Sequence, residues 1–544
     1  MSARAQRWAP VALAAILPWL LLWPLPLVFG RELITSPLSE GPAHLWGWFA
    51  AWHERAPFLV RTHLLNFPDG LSFELIDPLH ALPYALGALW SPAAGFNLVL
   101  VWGLFVAGLA GALLAREAGA DTAGQLLGVC VGASAPTSLA VAVDGITEGL
   151  GVGWVGVQLA ILLSMRRGAT GGRALALAGA IAAGVLSGPY NAVWIFLIDI
   201  PVGLVLLRRT RAPLLSAAIA TLLCAPYLHA LASRDAGLPG GEARAGLGIP
   251  RLLDPWRAAG ERGVDLLDLF VPAPLTGAAS DLPHTGYLGV LTLGLAVIGA
   301  SRAWRRGERR ALLWALGAAL FASLALGPWI SVGGAFPTVG GRALLGPAGL
   351  LAWLTPLGRL TRWYRAAAVA ALLLVPLATR AARGRTALLL APLVLLDARL
   401  LAPLPWALPR TDGALPEALA PVDGPLAELP SVVPMFFTGE TADQGLISQA
   451  HHRQPTNGTL HSFPGAATHA DALRVLRRIA VNQAAPDDSA PRAAAELAGM
   501  GYRYLAVYRS FFVPEGLDLL ALQLGPPLAT DDRLLVWRIS PARP

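Results

Sequence analysis

Seven carboxylates lie close to the ends of long apolar runs and are the first candidates for chemistry: Glu40, Glu54, Asp69, Glu74, Asp77, Asp144 and Glu148. A carboxylate at such a boundary can take a proton from a hydroxyl group. Partial burial raises its pKa, and a nearby arginine or metal ion lowers it. Asp144 and Glu148 are four residues apart at the start of a predicted helix, so we expect them on one helical face. Two carboxylates there could bind a divalent cation or pair with an arginine.

Each of these acids also has a purely structural interpretation. Acids in loops are commonly just solvated, and helix N-capping explains one of Asp144 and Glu148 well, but not both. Asp77 precedes Pro78 and could cap the following helix. Asp69 belongs to Asn66-Phe-Pro-Asp-Gly70, whose residue types favour a turn. The sequence therefore favours turn formation for Asp69 and leaves both interpretations open for the others.

Many arginines of this chain are clustered in short loops between apolar runs. Those that stand outside such clusters are the second group of candidates: Arg55, Arg61, Arg251, Arg257, Arg362 and Arg365. An arginine fork binds a phosphate or pyrophosphate through two parallel hydrogen bonds. Arg362 and Arg365 stand at the mouth of a predicted span, where they could hold a substrate phosphate. The alternative is that their side chains simply reach the membrane interface beside Trp363 and Tyr364.

The composition excludes several kinds of chemistry. The chain has no lysine, which excludes a Walker lysine, a Schiff-base lysine and a lysine general base. Its two cysteines, Cys130 and Cys224, form no CxxC pair and are predicted to pack inside apolar spans. No basic stripe interleaved with aromatic residues suits a nucleic acid. The run Gly151-Val-Gly-Trp-Val-Gly156 matches a nucleotide-binding pattern, but it lies in a predicted span, where small residues favour close helix packing.

About eleven apolar segments of membrane-spanning length must position these candidates. A span needs roughly 20 mainly apolar residues, and the chain is 55% apolar and only 14% charged, which is typical of a polytopic membrane protein. The predicted spans lie near residues 9–29, 96–115, 122–141, 147–165, 173–190, 191–207, 213–231, 285–302, 310–329, 366–380 and 386–403. The first is too long for a signal-peptide core and lacks a cleavage site, so we predict that it is retained. Asp199 and Asp397 fall inside apolar runs and are further functional candidates, although Asp397 could pair with Arg399.

Arginine clusters occur in every second short loop, which predicts the topology. Positive charge near the ends of spans stays on the cytoplasmic side. The N-terminus is therefore predicted to be cytoplasmic, and loops 30–95 and 232–284 are predicted to be periplasmic. Loop 30–95 contains two apolar stretches, 44–52 and 78–90, which are too short to span and are predicted to be interfacial helices.

The composition changes near residue 404, which divides the chain into a predicted transmembrane domain, 1–403, and a predicted periplasmic soluble domain, 404–544. Three short runs near 426–430, 502–508 and 533–538 are predicted strands, and 467–483 and 490–500 are predicted helices. This pattern indicates a small α/β domain. The pair His451-His452 has no other clustered ligands near it, so a polar contact is favoured over a metal site.

Several short motifs, in this order and topology, resemble the GT-C glycosyltransferase superfamily of polytopic bacterial membrane proteins, in its uncharacterised and YfhO-like branches. The motifs are Glu40-Gly-Pro-Ala-His-Leu-Trp46, the Asn66–Gly70 turn, Asp77-Pro78, Ala94-Gly-Phe-Asn97, Asp144-Gly-Ile-Thr-Glu-Gly149, Leu360-Thr-Arg-Trp-Tyr-Arg365 and Gln449-Ala-His-His-Arg-Gln-Pro455. Together they cover nearly the whole chain. The resemblance implies a GT-C-like bundle of about eleven transmembrane helices in the bacterial inner membrane.

The resemblance also implies an activity and assigns residues to it. An acidic residue of the first outer loop is the usual catalytic base, which here is Glu40, with Asp144 or Glu148 as alternatives. The donor would be a polyprenyl-phosphate sugar in the bilayer. His44, Asp77, Arg362 and Arg365 are the predicted substrate-binding residues. A bound cofactor is not required, and a divalent cation is left open.

Two other classes of function are also compatible with the sequence. One is a non-catalytic factor of cell-envelope assembly, whose outer domain would bind a partner protein. The other is a lipid or polysaccharide transporter, which would depend on Asp199 or Asp397 inside the bundle. The glycosyltransferase is the function that we predict.

Overall fold

The computed structural model of this chain describes residues 3–36, 39–208, 210–237, 263–272, 275, 286–354, 362–402, 404–430, 441–458, 471–483 and 488–541. Most of the predicted loop 232–284, including Arg251 and Arg257, lies outside these residues. So do residues 355–361 of the stretch before Arg362. The described part is mostly helical, as the sequence predicts.

Helices overlap each of the eleven predicted spans, with two helices in the third. The helices are Ala3–Leu21, Pro92–Glu117, Thr122–Ala133 followed by Pro136–Val143, Val152–Ser164, Gly171–Leu186, Pro189–Leu207, Ala212–Gly237, Val290–Arg305, Arg309–Ala325, Ala366–Ala381 and Gly384–Leu400. Several begin with proline, whose fixed φ suits the first helical turn. The third predicted span bends by 41° between its two helices. The bend falls at Pro136, which lacks the N–H that would continue the helix.

Five helices among the described residues are long and apolar enough to cross a membrane, or six if the bent pair counts as one span. The chain is therefore a membrane protein by length and composition of its helices. The predicted number of eleven crossings stays a prediction, and so does the orientation in the membrane.

The chain forms two compact units that combine distant segments. The first contains residues 1–27, 76–80 and 98–409, and the second contains residues 28–75, 81–97 and 410–544. The domain division predicted at residues 403 and 404 stays a prediction; in the second unit, most of loop 30–95 is compact with the tail.

Glycines allow the helices of the first unit to pack backbone to backbone. A Cβ atom added to Gly111 would lie 2.0 Å from the Gly128 carbonyl oxygen, and one added to Gly153 would lie 2.5 Å from the Ala107 nitrogen. Helix Pro92–Glu117 therefore contacts both of its neighbours directly. This confirms that the glycines of the run 151–156 serve helix packing. Helix Ala366–Ala381 is buried along almost its whole length.

The second unit is an α/β structure, as predicted. Its four-stranded sheet has the order Leu426–Leu429, Tyr504–Tyr508, Leu534–Arg538, Ala529–Thr530, with a parallel first pair and antiparallel others. Its helices in the tail are Thr441–His452, Asp471–Ala480, Ser489–Gly499 and Pro514–Leu524. Strand Glu32–Ile34 of the first loop pairs with Arg410–Asp412, and Leu59–Thr62 pairs with Leu71–Glu74. In the tail, helices Thr441–His452 and Pro514–Leu524 and strands Arg410–Asp412 and Ala529–Thr530 were not predicted.

The two predicted interfacial helices differ in the structure. Helix Gly41–His53 buries Trp46 and Trp48, and the Trp46 indole N–H donates to Gln449 Oε1 at 2.7 Å. The prediction of an interfacial helix is therefore wrong here, because these indoles belong to a protein core. Helix Ala81–Ala88 does leave Leu82 and Leu86 exposed, each by about two thirds, as an interfacial helix would.

Candidate functional site

A sharp turn between two helices positions the acids of the second outer loop. Helix Pro136–Val143 ends at Asp144, Gly145 takes a positive φ of 66°, and a 3-10 turn over Thr147–Gly151 leads into the next helix. A residue with positive φ ends a helix, and glycine adopts it without strain. The prediction that Asp144 and Glu148 share one helical face is therefore wrong. Asp144 is partly buried at the end of its helix, and Glu148 is buried in the turn.

Glu148 and Arg365 form a buried ion pair in the first unit. Arg365 Nη2 lies 2.7 Å from Glu148 Oε1, and both side chains are less than a tenth exposed. Arg365 ends the 3-10 turn Trp363–Arg365, directly before helix Ala366–Ala381. The sequence allowed either a divalent cation or an arginine as the partner of an acid here, and in the structure Glu148 pairs with an arginine. The two residues are 217 positions apart in the chain.

The tight hairpin Ser187–Asn191 packs against this ion pair. Asn191 Nδ2 donates to the Glu148 carbonyl oxygen at 3.0 Å. The Arg365 guanidinium lies over the Tyr190 ring, 4.4 Å from its centroid, and the Arg362 backbone N–H donates to the Tyr190 hydroxyl at 3.1 Å. An aromatic face attracts a cation, so Tyr190 contributes to holding Arg365 in place.

Asp77 belongs to a second buried polar group, which adjoins the Glu148–Arg365 pair. Its Oδ2 accepts hydrogen bonds from the Thr147 hydroxyl at 2.6 Å and from His80 Nδ1 at 3.0 Å. All three side chains are essentially inaccessible to solvent. Because Thr147 precedes Glu148, the turn Thr147–Gly151 connects the Asp77 group to the Glu148–Arg365 pair.

Arg365 has hydrogen-bonding capacity that the described residues do not use. Its Nε and Nη1 atoms are buried and make no well-formed hydrogen bond in the part of the chain that the structure describes, although the Tyr364 hydroxyl lies close to the guanidinium. A buried guanidinium carries five N–H donors, and leaving them unpaired costs free energy. Such a group is suited to bind an oxyanion, because phosphate oxygens match the arginine fork.

Glu40 and His44 belong to the second unit. Glu40 stands at the N-cap of helix Gly41–His53 without capping it through its side chain, and its Oε2 lies 3.9 Å from His44 Nε2. Both side chains are less than a fifth exposed. A carboxylate close to an imidazole in a sheltered position could accept a proton from a hydroxyl group.

Of the seven predicted site residues, Asp77, Glu148 and Arg365 come together in the first unit, and Arg362 joins them through Tyr190. Glu40 and His44 are paired in the second unit. The sequence did not identify His80, Thr147, Tyr190 or Asn191. The only sequence signal for them is that Tyr190 and Asn191 lie in the short Gly-Pro hairpin, and His80 follows Asp77 by three residues.

Three further polar predictions can be compared with the structure. Asp397 accepts hydrogen bonds from the Tyr287 hydroxyl and the Leu291 backbone N–H, both at 2.8 Å. The pairing with Arg399 that the sequence left open is not what the structure shows, since Arg399 donates to the carbonyl groups of Pro405 and Trp406. His451 and His452 make backbone hydrogen bonds, with the Gly413 carbonyl and the Gln454 N–H respectively. Both cysteines are buried, as predicted.

No protein-family model matches this chain, and no curated protein matches it in sequence. Solved structures do match. The arabinofuranosyltransferase AftD from Mycobacteria is similar over 99% of this chain and 42% of its own length, with 18% identity and a TM-score of 0.50. This chain therefore spans less than half the length of AftD.

Two other solved structures have lower scores. The Archaeoglobus fulgidus oligosaccharyltransferase matches over 93% of this chain and 70% of its own length, with 12% identity and a TM-score of 0.47. ArnT from Cupriavidus metallidurans matches over 98% of both chains, with 14% identity and a TM-score of 0.42. At such identities, a structural match bears on the fold alone. The YfhO-like branch stays a prediction, and the fold of this chain is that of the GT-C glycosyltransferase superfamily.

Proposed function

We propose that this protein is a membrane glycosyltransferase that transfers a sugar from a polyprenyl-phosphate donor to a hydroxyl group of a periplasmic acceptor. The GT-C fold supports the class of reaction, and the buried polar groups of the first unit support the type of donor. We place the protein in the bacterial inner membrane, with residues 404–544 on the periplasmic side, on the basis of the arginine distribution.

The observation that carries this proposal is the environment of Arg365. The guanidinium is buried, held on one side by Glu148 and on one face by Tyr190. Its Nε and Nη1 make no well-formed hydrogen bond among the described residues, with only the Tyr364 hydroxyl close to the guanidinium. A phosphate oxygen would satisfy these donors and neutralise the charge at a site largely protected from water. A phosphate bound in this way is a better leaving group, because negative charge grows on it as the glycosidic bond breaks.

The proposed reaction has four coupled changes. The acceptor hydroxyl oxygen attacks the anomeric carbon, and a carboxylate takes the hydroxyl proton. The bond between the anomeric carbon and the phosphate oxygen breaks, and its electron pair leaves with the phosphate. Arg365 stabilises the charge of the departing polyprenyl phosphate. We propose Glu40 as the base, with His44 beside it, and Asp144 as the alternative.

Glu148 has a different role in this proposal. Its Oε1 is hydrogen bonded to Arg365 Nη2, so it positions the guanidinium and does not serve as the base. Asp77 holds Thr147 and thereby fixes the turn that carries Glu148. Arg362 would add a second positive charge near the phosphate. Adding a chelator to the assay tests whether a divalent cation also binds these carboxylates.

The test is turnover of a polyprenyl-phosphate sugar by purified full-length protein in lipid vesicles. We expect release of polyprenyl phosphate by the wild type. We expect a loss of at least about a hundredfold in Glu40→Gln if it is the base, and a comparable loss in Arg365→Gln. Arg305→Gln is the matched control, because Arg305 is exposed at a helix end.

Three outcomes separate the alternatives. Full activity of Glu40→Gln with loss in Asp144→Asn would transfer the role of base to Asp144. Donor binding without turnover, unchanged in Glu40→Gln, Asp144→Asn and Arg365→Gln, would contradict a glycosyltransferase and favour a non-catalytic binding protein. Loss of donor binding in Arg365→Gln alone, on protein that size-exclusion chromatography shows to be folded and with Arg305→Gln unchanged, would support the phosphate site.

A further inference from the structure

A cleft on the outside of the first unit contains a partly buried acid that the proposed reaction does not use. Helices Gly171–Leu186, Pro189–Leu207 and Ala212–Gly237 contribute most of its walls, and its volume is about 470 Å³. The lining side chains are almost all aliphatic or aromatic, and Asp199 is the charged residue among them. The cleft is therefore apolar with a single acidic group.

The acid and its neighbour have unused hydrogen-bonding capacity. Asp199 Oδ1 is buried and has no hydrogen-bond partner among the described residues. The side chain of Gln158 is fully buried and lies close enough to this carboxylate to interact with it, but neither of its amide atoms makes a well-formed hydrogen bond in the described part. Buried polar atoms without well-formed hydrogen bonds are costly in an apolar medium. They indicate that a ligand with hydrogen-bond donors completes the site.

The depth of Asp199 restricts what this ligand can be. Asp199 lies near the middle of the 19-residue helix Pro189–Leu207, about 15 Å along its axis from the first residue at 1.5 Å per residue. A phospholipid presents its charged headgroup at the interface and only alkyl chains at this depth. A donor at the midplane must therefore be carried on a transmembrane segment.

Two helices that line the cleft, Pro189–Leu207 and Ala212–Gly237, are long and apolar enough to span a membrane, and little of their apolar surface is buried. Only 28% of the apolar window of Pro189–Leu207 and of Ala212–Leu231 is buried, compared with 89% for Trp363–Ala381. Phe196, Leu204 and Leu222 each expose more than half of their surface. Lipid can cover such a face, but lipid offers no partner for the carboxylate at its centre.

We infer that this cleft binds a transmembrane helix of a partner protein that carries a basic residue at its midpoint. The apolar walls would contact the aliphatic side chains of the partner helix. The basic side chain would donate to Asp199 and pair with its charge, and Gln158 would supply a further acceptor. Intramembrane acids that face a cavity commonly pair with a basic group. The partner would be held in the bilayer next to the proposed glycosyltransferase, whose function this inference does not require.

The inference can be tested with synthetic helices in vesicles of neutral phosphatidylcholine that contain the full-length protein. The probe is a 23-residue Leu/Ala transmembrane peptide with one central lysine and a photoreactive residue beside it. Its control has leucine in place of the lysine. Crosslinked positions are identified by mass spectrometry. We expect the lysine peptide to label residues of the cleft about tenfold more than the leucine peptide.

Variants of the protein identify the group that is responsible. Asp199→Asn keeps the shape but removes the charge, and should lower labelling of the cleft about tenfold, whereas Asp199→Glu should retain it. Thr221→Val is the matched control, because Thr221 also lines the cleft but donates within its own helix. Size-exclusion chromatography establishes that each variant is folded.

Three results would overturn the inference. Equal labelling by the lysine and leucine peptides would show that the cleft takes apolar helices or lipid without regard to charge. Labelling that is unchanged in Asp199→Asn would remove the carboxylate from the site. Crosslinks between two copies of this chain through the cleft, in place of the peptide, would make the occupant a second copy.

Discussion

Glu148 and Glu428 are both buried glutamates, 6% and 7% exposed, but their partners differ. In the first unit, Glu148 faces the cation Arg365 at 2.7 Å. In the second unit, Glu428 on strand Leu426–Leu429 accepts hydrogen bonds from two neutral groups, the hydroxyls of Tyr508 and Thr456. Burial raises the pKa of Glu428, and these hydrogen bonds offset the rise only in part. A buried carboxylate is thus matched by a countercharge in one unit, whereas in the other it is bonded by neutral hydroxyl groups and its pKa is raised.

Each of these carboxylates lies against a glycine, which shows how closely the two environments are packed. A Cβ atom on Gly188 would lie 2.8 Å from Glu148 Cβ, and one on Gly445 would lie 3.2 Å from Glu428 Oε1 and from the Tyr508 hydroxyl oxygen. Gly188 has a φ of 146°, whereas Gly445 lies within helix Thr441–His452. The first environment therefore depends on both backbone conformation and space, and the second on space alone.

Removing the countercharge in the first unit should have the largest effect. Arg365→Gln leaves Glu148 buried without a cation, which is expected to lower the free energy of unfolding by about 3–5 kcal/mol. The double variant Arg365→Gln/Glu148→Gln should recover much of that loss, because a neutral pair needs no countercharge. Chemical unfolding of the full chain in detergent measures both. A double variant as unstable as the single one would show that the loss comes from packing.

The glycine beside Glu148 should be the next most sensitive position. Gly188→Ala combines a strained φ with a steric clash and is expected to cost about 2–4 kcal/mol. Gly445→Ala adds a methyl group at a tight contact but gains helix propensity, so its cost should stay below about 1 kcal/mol. Thermal unfolding of the two variants side by side tests the difference. Equal destabilisation would contradict the distinction drawn between backbone conformation and space.

The sequence predicts the elements of both environments better than their pairings. Long apolar runs predict a helix at each of the eleven positions, because burying or embedding such runs favours a helix whatever their neighbours are. Glu148 and Arg365 were identified separately, Glu148 from the spacing of acids and Arg365 from its place beside a span. Their contact joins residues 217 positions apart, and no local pattern encodes such a contact.

The buried state of Glu428 could not be predicted for a related reason. In a strand, alternate residues face opposite sides, and a single charged residue in Leu426-Ala-Glu-Leu429 suggests one solvated face. Elements on both sides cover this strand, so all four of its residues are buried. Helix Thr441–His452, which brings Gly445 against Glu428, was not predicted, since its residues show only a weak apolar periodicity. Tertiary packing therefore decided the environment of this acid.

Removing the hydroxyl group that bonds Glu428 should have a smaller effect. Tyr508→Phe deletes the hydrogen bond at 2.9 Å and is expected to cost about 1–3 kcal/mol, the range for a bond to a group that can carry charge. It should also raise the pKa of Glu428 further, because this bond favours the ionised form. Hydrogen exchange of strand Tyr504–Tyr508 in the full chain measures the loss. Unchanged exchange would show that water replaces the hydroxyl group.

Titration of Glu428 should produce the smallest effect, one with a defined sign. The folded-state pKa is raised above the ordinary 4.5, so the folded state holds the proton more tightly. Its stabilising contribution is complete at a pH below the unfolded pKa and is lost as the pH rises through the folded one.

His452 acts in the opposite direction: burial and the nearby His451 lower its pKa to about 4, so its contribution is lost as the pH falls below about 6.5. Because His452 is common to the wild type and to Glu428→Gln, the difference between the two in hydrogen exchange of strand Leu426–Leu429, in a window that extends upward from pH 4.5, reports on Glu428. Glu428→Gln should flatten the pH dependence of protection in this window, while Glu417→Gln, at an exposed position, should leave it unchanged. The same slope in Glu428→Gln as in the wild type would contradict a raised pKa of Glu428 in the folded protein, and with it the difference between the two buried acids.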